Sequence, residues 1–152
     1  MNATRTCIAL FLLLASLSML GQDKTQPPAT DDSAAFSVTD ANVVLAQLRE
    51  ALEGHSERKF FAAFDGSRMK GFTSFQDQVE SFFANNDGIR VNVRINQSSV
   101  ENGRGIDIAS IQMEMTPRNG NTVRHETQMR FELERSNHGW RIVDLTPRSF
   151  FS

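Results

Sequence analysis

Between Thr122 and Ser136 the chain alternates with a period of two. Val123, His125, Thr127, Met129, Phe131 and Leu133 fall on one side, and Arg124, Glu126, Gln128, Arg130, Glu132 and Glu134 on the other. An extended strand with one buried and one wet face satisfies this pattern. At roughly twice the usual ~5–6 residues, such a strand requires a long and bent sheet around it. Upstream, Ile89, Val91, Val93 and Ile95 alternate with Arg90, Asn92, Arg94 and Asn96, and Gly103–Gly105 reads as a loop. The next strand, Ile106–Thr116, changes phase. Ile106 and Ile108 are apolar on one parity, and Ile111, Met113 and Met115 on the other, so a bulge is expected near Ala109-Ser110.

Pro117-Arg118-Asn119-Gly120 suits a type I turn with Gly120 left-handed. That turn pairs Met115 with Val123, Met113 with His125 and Ile111 with Thr127 inside, and Glu114 with Arg124 outside. Past the bulge it sets Ile108 against Met129, Ile106 against Phe131, and Asp107 against Arg130 outside. A last strand, Trp140–Leu145, is apolar on both faces, which leaves its inward side open and hints at a partner surface. Ser149-Phe150-Phe151 is expected to fold back onto the core.

Ahead of the strands the period lengthens to three and four. Ala41, Val44, Leu45, Leu48, Ala51 and Leu52 form one stripe, with Thr39 or Asp40 as cap and Gly54 as stop. A short second helix from Ser56 to Asp65-Gly66 carries Phe60, Phe61 and Phe64. A third starts at Ser74, with Asp77 completing a capping box, and buries Phe75, Val79, Phe82 and Phe83. Asn85-Asn86-Asp87-Gly88 reads as a turn.

The first 21 residues differ in kind. Arg5 is followed by an apolar run from Ile8 to Leu20, which fits a signal peptide and is short for a membrane span. The competing reading is an uncleaved anchor over residues 8–20. Residues 22–37, with Pro27-Pro28, read as a flexible linker, leaving 38–152 as one domain. The domain is expected to be periplasmic or extracellular. Cys7 is the only cysteine, so cleavage leaves no thiol for a disulfide, a nucleophile or a metal. The formal net charge of −2 offers no basic field for nucleic acid, and the mature domain no membrane-binding surface. Twelve Phe and no Tyr point to packing before polar recognition.

Three helices, a Phe-rich second helix, a capped third helix leading into strands, and the closing stretch Gly139–Leu145 together resemble the nuclear transport factor 2-like superfamily. Its members include ketosteroid isomerase-like and polyketide cyclase-like proteins. The resemblance spans about Ser37–Phe151 and is to a fold, since none of these features is a catalytic motif. It implies an α+β domain with three N-terminal helices packed on a strongly curved four-stranded antiparallel meander, a cystatin-like cone enclosing a cavity. It also implies a possible homodimer through the outer sheet face. Isomerase members use a Tyr in an oxyanion hole, and this chain has none, so that chemistry does not carry over.

No metal spacing, phosphate loop or nucleophile elbow is present, and no cofactor is expected. His55 and His138 fall in turns and read as solvated; His125 falls on the apolar face. It is either a hydrogen-bonded core histidine or a pocket residue. The first expectation is an exported, non-enzymatic domain that binds a small apolar ligand or an envelope protein. Its cone cavity would be lined by Phe60, Phe64, Phe82, Met113, His125, Met129 and Trp140. The alternative is a cofactor-free hydratase, dehydratase or isomerase using His125 and Asp144, with Thr127 beside them. The export reading predicts an intact mass lacking the apolar run, unchanged by reductant. A full-length mass retained in membranes would establish the anchor instead.

Overall fold

The computed structural model describes residues 35–152. The expected targeting segment and most of the linker lie outside the described residues. Three helices, α1 (Val38–Glu53), α2 (Glu57–Phe61) and α3 (Phe72–Asn85), precede four strands, β1 (Asn86–Glu101), β2 (Arg104–Pro117), β3 (Val123–Ser136) and β4 (Gly139–Thr146). The strands form one antiparallel sheet in the order β1-β2-β3-β4, and a 3-10 turn, Arg148–Phe151, ends the chain. This is the expected α+β meander, and the expected apolar stripes of α1 and α3 are their buried residues.

The helix ends differ from the sequence expectation in instructive ways. Ser37, not Thr39 or Asp40, caps α1: its hydroxyl accepts from the Asp40 N–H at 3.2 Å, and the Asp40 carboxylate accepts from the Ser37 N–H at 2.9 Å. Asp40 is the far half of that box, so the helix starts earlier than expected. Phe36, assigned to the linker, is 8% exposed and belongs to the core. Ser74 lies inside α3 rather than capping it. Gly71, at φ 71°, takes the left-handed turn that sends the chain straight into the helix. The expected break at Asn85–Gly88 is absent, because the Asn86 side-chain amide donates to the Phe82 carbonyl at 2.8 Å and closes α3 as β1 begins.

α2 stops short of Asp65 because the next residues are drawn into an extended bridge. The Ile142 N–H donates to Ala63 O and the Asp65 N–H donates to Ile142 O, both at 2.9 Å. That bridge occupies the outer edge of β4.

The expected pairs Met115–Val123, Met113–His125, Ile111–Thr127 and Glu114–Arg124 are present. The turn that sets them is wider than expected, and Gly120 is not left-handed. The β1–β2 loop is tighter than expected. Asn102 (φ 52°) and Gly103 (φ 78°) form a two-residue turn, so Gly105 belongs to β2.

The bulge lies beside Ala109, but the extra residue is Asn96 on β1. β2 and β3 therefore pair without interruption, and Ile108 meets Arg130, Asp107 meets Phe131, and Ile106 meets Glu132. The expected pairs Ile108–Met129, Ile106–Phe131 and Asp107–Arg130 do not form, and Asp107 faces inward. A second bulge, at Val143, resolves the ambiguous last strand. Ile142 pairs with Leu133 and Leu145 with Phe131, so both face inward on either side of the extra residue. Ile142, Val143 and Leu145 are all buried within the single chain, which removes the reason for reading β4 as a partner surface.

The outer face carries a chain of ion pairs. Arg130 bridges Glu101 and Glu132, Arg104 bridges Glu132 and Glu134, and Arg68 bridges Glu134 and Asp65. Ile106, opposite Glu132 on that face, is only 3% exposed.

On the inner face Phe36 lies over Gly105, and its ring meets Trp140 edge-on at 4.9 Å. A Cβ at Gly105 would fall 2.4 Å from Phe36 Cγ. Gly105→Ala should therefore cost about 1–3 kcal/mol through overpacking. In a Phe36→Ala background the same change should cost much less. Urea unfolding of the four variants measures that coupling, and additive costs would show that the ring is not the obstacle.

Candidate functional site

Phenylalanine occupies the interior where a cone cavity was expected. The Phe60 ring contacts those of Phe61, Phe64, Phe75, Phe83 and Phe151 at centroid distances of 5.2 to 6.3 Å. Met113 and Met129, both expected to line a pocket, are 0% and 1% exposed and belong to the same core. Each buried Phe contributes ~1.5–3 kcal/mol and each ring pair ~0.5–1.5 more, so parting these rings for a ligand is costly. Among the expected pocket residues, Phe82, Trp140 and His125 reach surface clefts.

His125 lies on the expected face, opposite Met113, but it is exposed. The reason is topological. β4 pairs only with Arg130–Ser136, so the first half of β3 runs past the end of its neighbour. Thr127 is half-buried beside it in an open cleft with Pro147, Ser149 and Phe150. Asp144 pairs with Glu132 on the opposite face of the sheet and accepts from the Leu145 N–H at 2.8 Å and from Arg148 at 2.7 Å. The structure thus separates the two residues of the expected acid–base pair. His138 is exposed in its turn, as expected. His55 is exposed but not free: its Nε2 donates to the Phe83 carbonyl at 3.0 Å and its ring meets Phe83 edge-on, tying the α1–α2 turn to the end of α3.

Sequence reading missed Asp107, which is 0% exposed on the inner face in the row Ser98, Asp107, Phe131, Leu145. Its Oδ1 accepts a hydrogen bond from the Ser98 hydroxyl, and its Oδ2 has no hydrogen-bond partner among the described residues. Burial pushes the carboxyl above the usual carboxylate range, and the Ser98 hydrogen bond opposes that shift. A carboxylic acid held in this way keeps its proton longer and can donate a hydrogen bond. The available signal was the phase change at Ile106 and Ile108, which was assigned to the wrong strand.

A largely apolar surface cleft lies where α3, the end of β2 and the C-terminus meet. Phe82, Met115, Pro117 and Phe151 form its wall, Gln78, Ser81, Asn85 and Asn86 its polar rim, and its volume is about 360 Å³. A smaller cleft, about 230 Å³, runs between Val43, Val44 and Trp140. Among the described residues no three His, Cys, Asp or Glu side chains are grouped to hold a metal ion, and no helix is long and apolar enough to cross a membrane.

No family model matches the chain, and no curated protein matches it in sequence. Solved structures do match its fold. One, from Novosphingobium aromaticivorans and provisionally described as a scytalone dehydratase, aligns with a TM-score of 0.64 at 8% identity over 71% of this chain and 80% of its own. A provisional dehydratase from the nuclear transport factor 2-like family of Streptomyces avermitilis gives 0.62 at 12% identity, over 71% and 92%. A domain of unknown function with a cystatin-like fold, from Nostoc punctiforme, gives 0.52 at 16% identity, over 76% and 85%. The fold of this chain is therefore nuclear transport factor 2-like.

Asp107 makes a signed prediction. Its raised folded pKa means that the native state holds the proton through a pH range in which the unfolded chain has released it. This stabilisation is present in acid and is lost as pH rises through the folded value. Asp107→Asn keeps an acceptor for Ser98 and has nothing to ionise. It should melt above the parent at pH 7, with the advantage shrinking below the carboxylate range. A melting difference independent of pH would refute a raised pKa.

Proposed function

We propose that this nuclear transport factor 2-like chain is an exported, non-enzymatic domain that binds a small apolar molecule in the cleft at Phe82, Met115 and Phe151. The observation that carries this reading is a cleft of about 360 Å³ beside the phenylalanine-filled core, where the margins of the otherwise buried Phe82, Met115 and Phe151 meet a polar rim. A volume of that size, mostly apolar with a few amide and hydroxyl groups at its margin, has the usual make-up of a small-ligand site. Export is supported by the apolar run from Ile8 to Leu20 behind Arg5.

A second reading, a cofactor-free dehydratase or isomerase, draws support from one feature, the buried Asp107 with its unpartnered Oδ2. The names of two similar structures point the same way, although at 8% and 12% identity they speak for the fold. A substrate would have to part the core to reach this carboxyl. The surface cleft needs no such opening, so binding is preferred.

The test is an NMR titration with indole as the apolar probe. Shifts should gather at Gln78, Phe82, Asn86, Met115 and Phe151, and Ser81→Arg at the rim should weaken binding at least tenfold while the melting temperature holds. Shifts gathering at Ser98, Asp107 and Phe131 would favour the second reading. An absence of saturable shifts would overturn both.

A further inference from the structure

β3 has an edge that the fold leaves open. β4 pairs with it only from Arg130 onward, and Ala63–Asp65 bridges β4 further out, so among the described residues no strand lies beyond residues 123–129. At ~3.3 Å per residue that edge is about 23 Å long. Protein edges are ordinarily blunted by charged residues, Pro, bulges, brevity or a covering loop; here the charges, Arg124 and Glu126, are of opposite sign and can pair across a two-fold axis. The stretch Val123-Arg124-His125-Glu126-Thr127-Gln128-Met129 contains no Pro, Gly or Lys, and it pairs with β2 in unbroken register. On the inner side, Pro147, Ser149 and Phe150 stand across an open cleft of about 420 Å³.

We propose that this edge pairs antiparallel with the same edge of a second copy, on a two-fold axis passing through His125. The charge pattern selects the partner and the register. Directly opposed residues in an antiparallel pair share a face, so a two-fold pairing must centre on a single residue. Centring on Glu126 opposes two glutamates, centring on Arg124 opposes two arginines, and centring on Thr127 sets Arg124 against Arg130. Centring on His125 sets the two imidazoles against each other and Val123 against Thr127 on the inner face, and it sets Arg124 against Glu126 twice on the outer face. Centring on Gln128 would set Glu126 against Arg130, but Arg130 already pairs with Thr146 of β4, so the His125 register is the one that is self-complementary in charge and clear of β4. Glu126 accepts from Gln112 through one oxygen at 3.3 Å and keeps the other for the new strand. Val123, 41% exposed in the single chain, gains a neighbour, and the two sheets become one continuous sheet. This interface is an edge, distinct from the outer-face contact that the superfamily resemblance implied.

Sedimentation of the full chain tests the proposal. A dimer is expected at micromolar concentration. Arg124→Glu alone and Glu126→Arg alone should each weaken it about tenfold or more, because each replaces two opposite-charge contacts with like-charge ones. The double swap should bring affinity back to within a few-fold of the parent. In a chain carrying Cys7→Ser, His125→Cys should form a disulfide-linked dimer under mild oxidation, since paired Cα atoms ~4.5–5.5 Å apart lie within disulfide reach. A monomeric parent would overturn the proposal. A dimer that the double swap fails to restore, or that His125→Cys fails to cross-link, would place the contact elsewhere and overturn it as well.

Discussion

The uninterrupted pairing of β2 with β3 is the constraint on which the rest of this fold depends. From Met115–Val123 to Gly105–Leu133 no residue is skipped. The register therefore carries every odd position of both strands to the inner face, whatever its chemistry. That continuity buries Asp107 and puts Gly105 under Phe36. The irregularities move to the flanking strands, at Asn96 and Val143. A bulge on β2 itself would have released Asp107 to solvent, but it would have broken the central ladder. The flanking strands yield at less cost, because β1 has a sheet neighbour on one side only and β4 has beyond it only the short bridge to Phe64.

Against that inner face the helices deliver aromatic volume. Phe60 from α2, Phe75 and Phe83 from α3 and Phe151 from the C-terminal turn meet one another before they meet the sheet. Phe suits this arrangement because it fills space without a hydroxyl to satisfy. The same choice removes the cavity that a cone fold could have kept. Open clefts lie instead at the margins, where α3 ends beside β2 and where β3 outruns β4.

Much of this architecture was legible in the sequence. The stripes of α1 and α3, the order of elements and the first half of the β2–β3 hairpin follow from periodicity, because burial repeats at 3.6 residues on a helix and at two on a strand. The rest depended on contacts between distant residues. Whether Ile106 and Ile108 mark a bulge on their own strand or on its neighbour is decided by β1, and no local pattern reports that choice. His125 satisfied the alternation yet is exposed, since alternation assigns a face and not the cover above it. The caps of α1 and α3 lie two or three residues ahead of the expected positions, in α1 for a similar reason: Asp40 can serve as a cap or as the far half of a box, and Ser37 decides which. The candidate acid–base pair failed because the bulge in β4 turned Asp144 to the opposite face.

Phe36 has one more consequence, a mechanical one. It is the first buried residue among those described, and a pull on the chain ahead of it would load this ring. The Ser37–Asp40 capping box immediately behind it anchors the chain to α1. Tension along that stretch would therefore load two contacts in series, the ring over Gly105 and then the helix cap. Withdrawing the ring uncovers Gly105 and Trp140 while α1 stays capped. The domain thus has a junction that can yield under load one side chain at a time, ahead of any loss of the sheet.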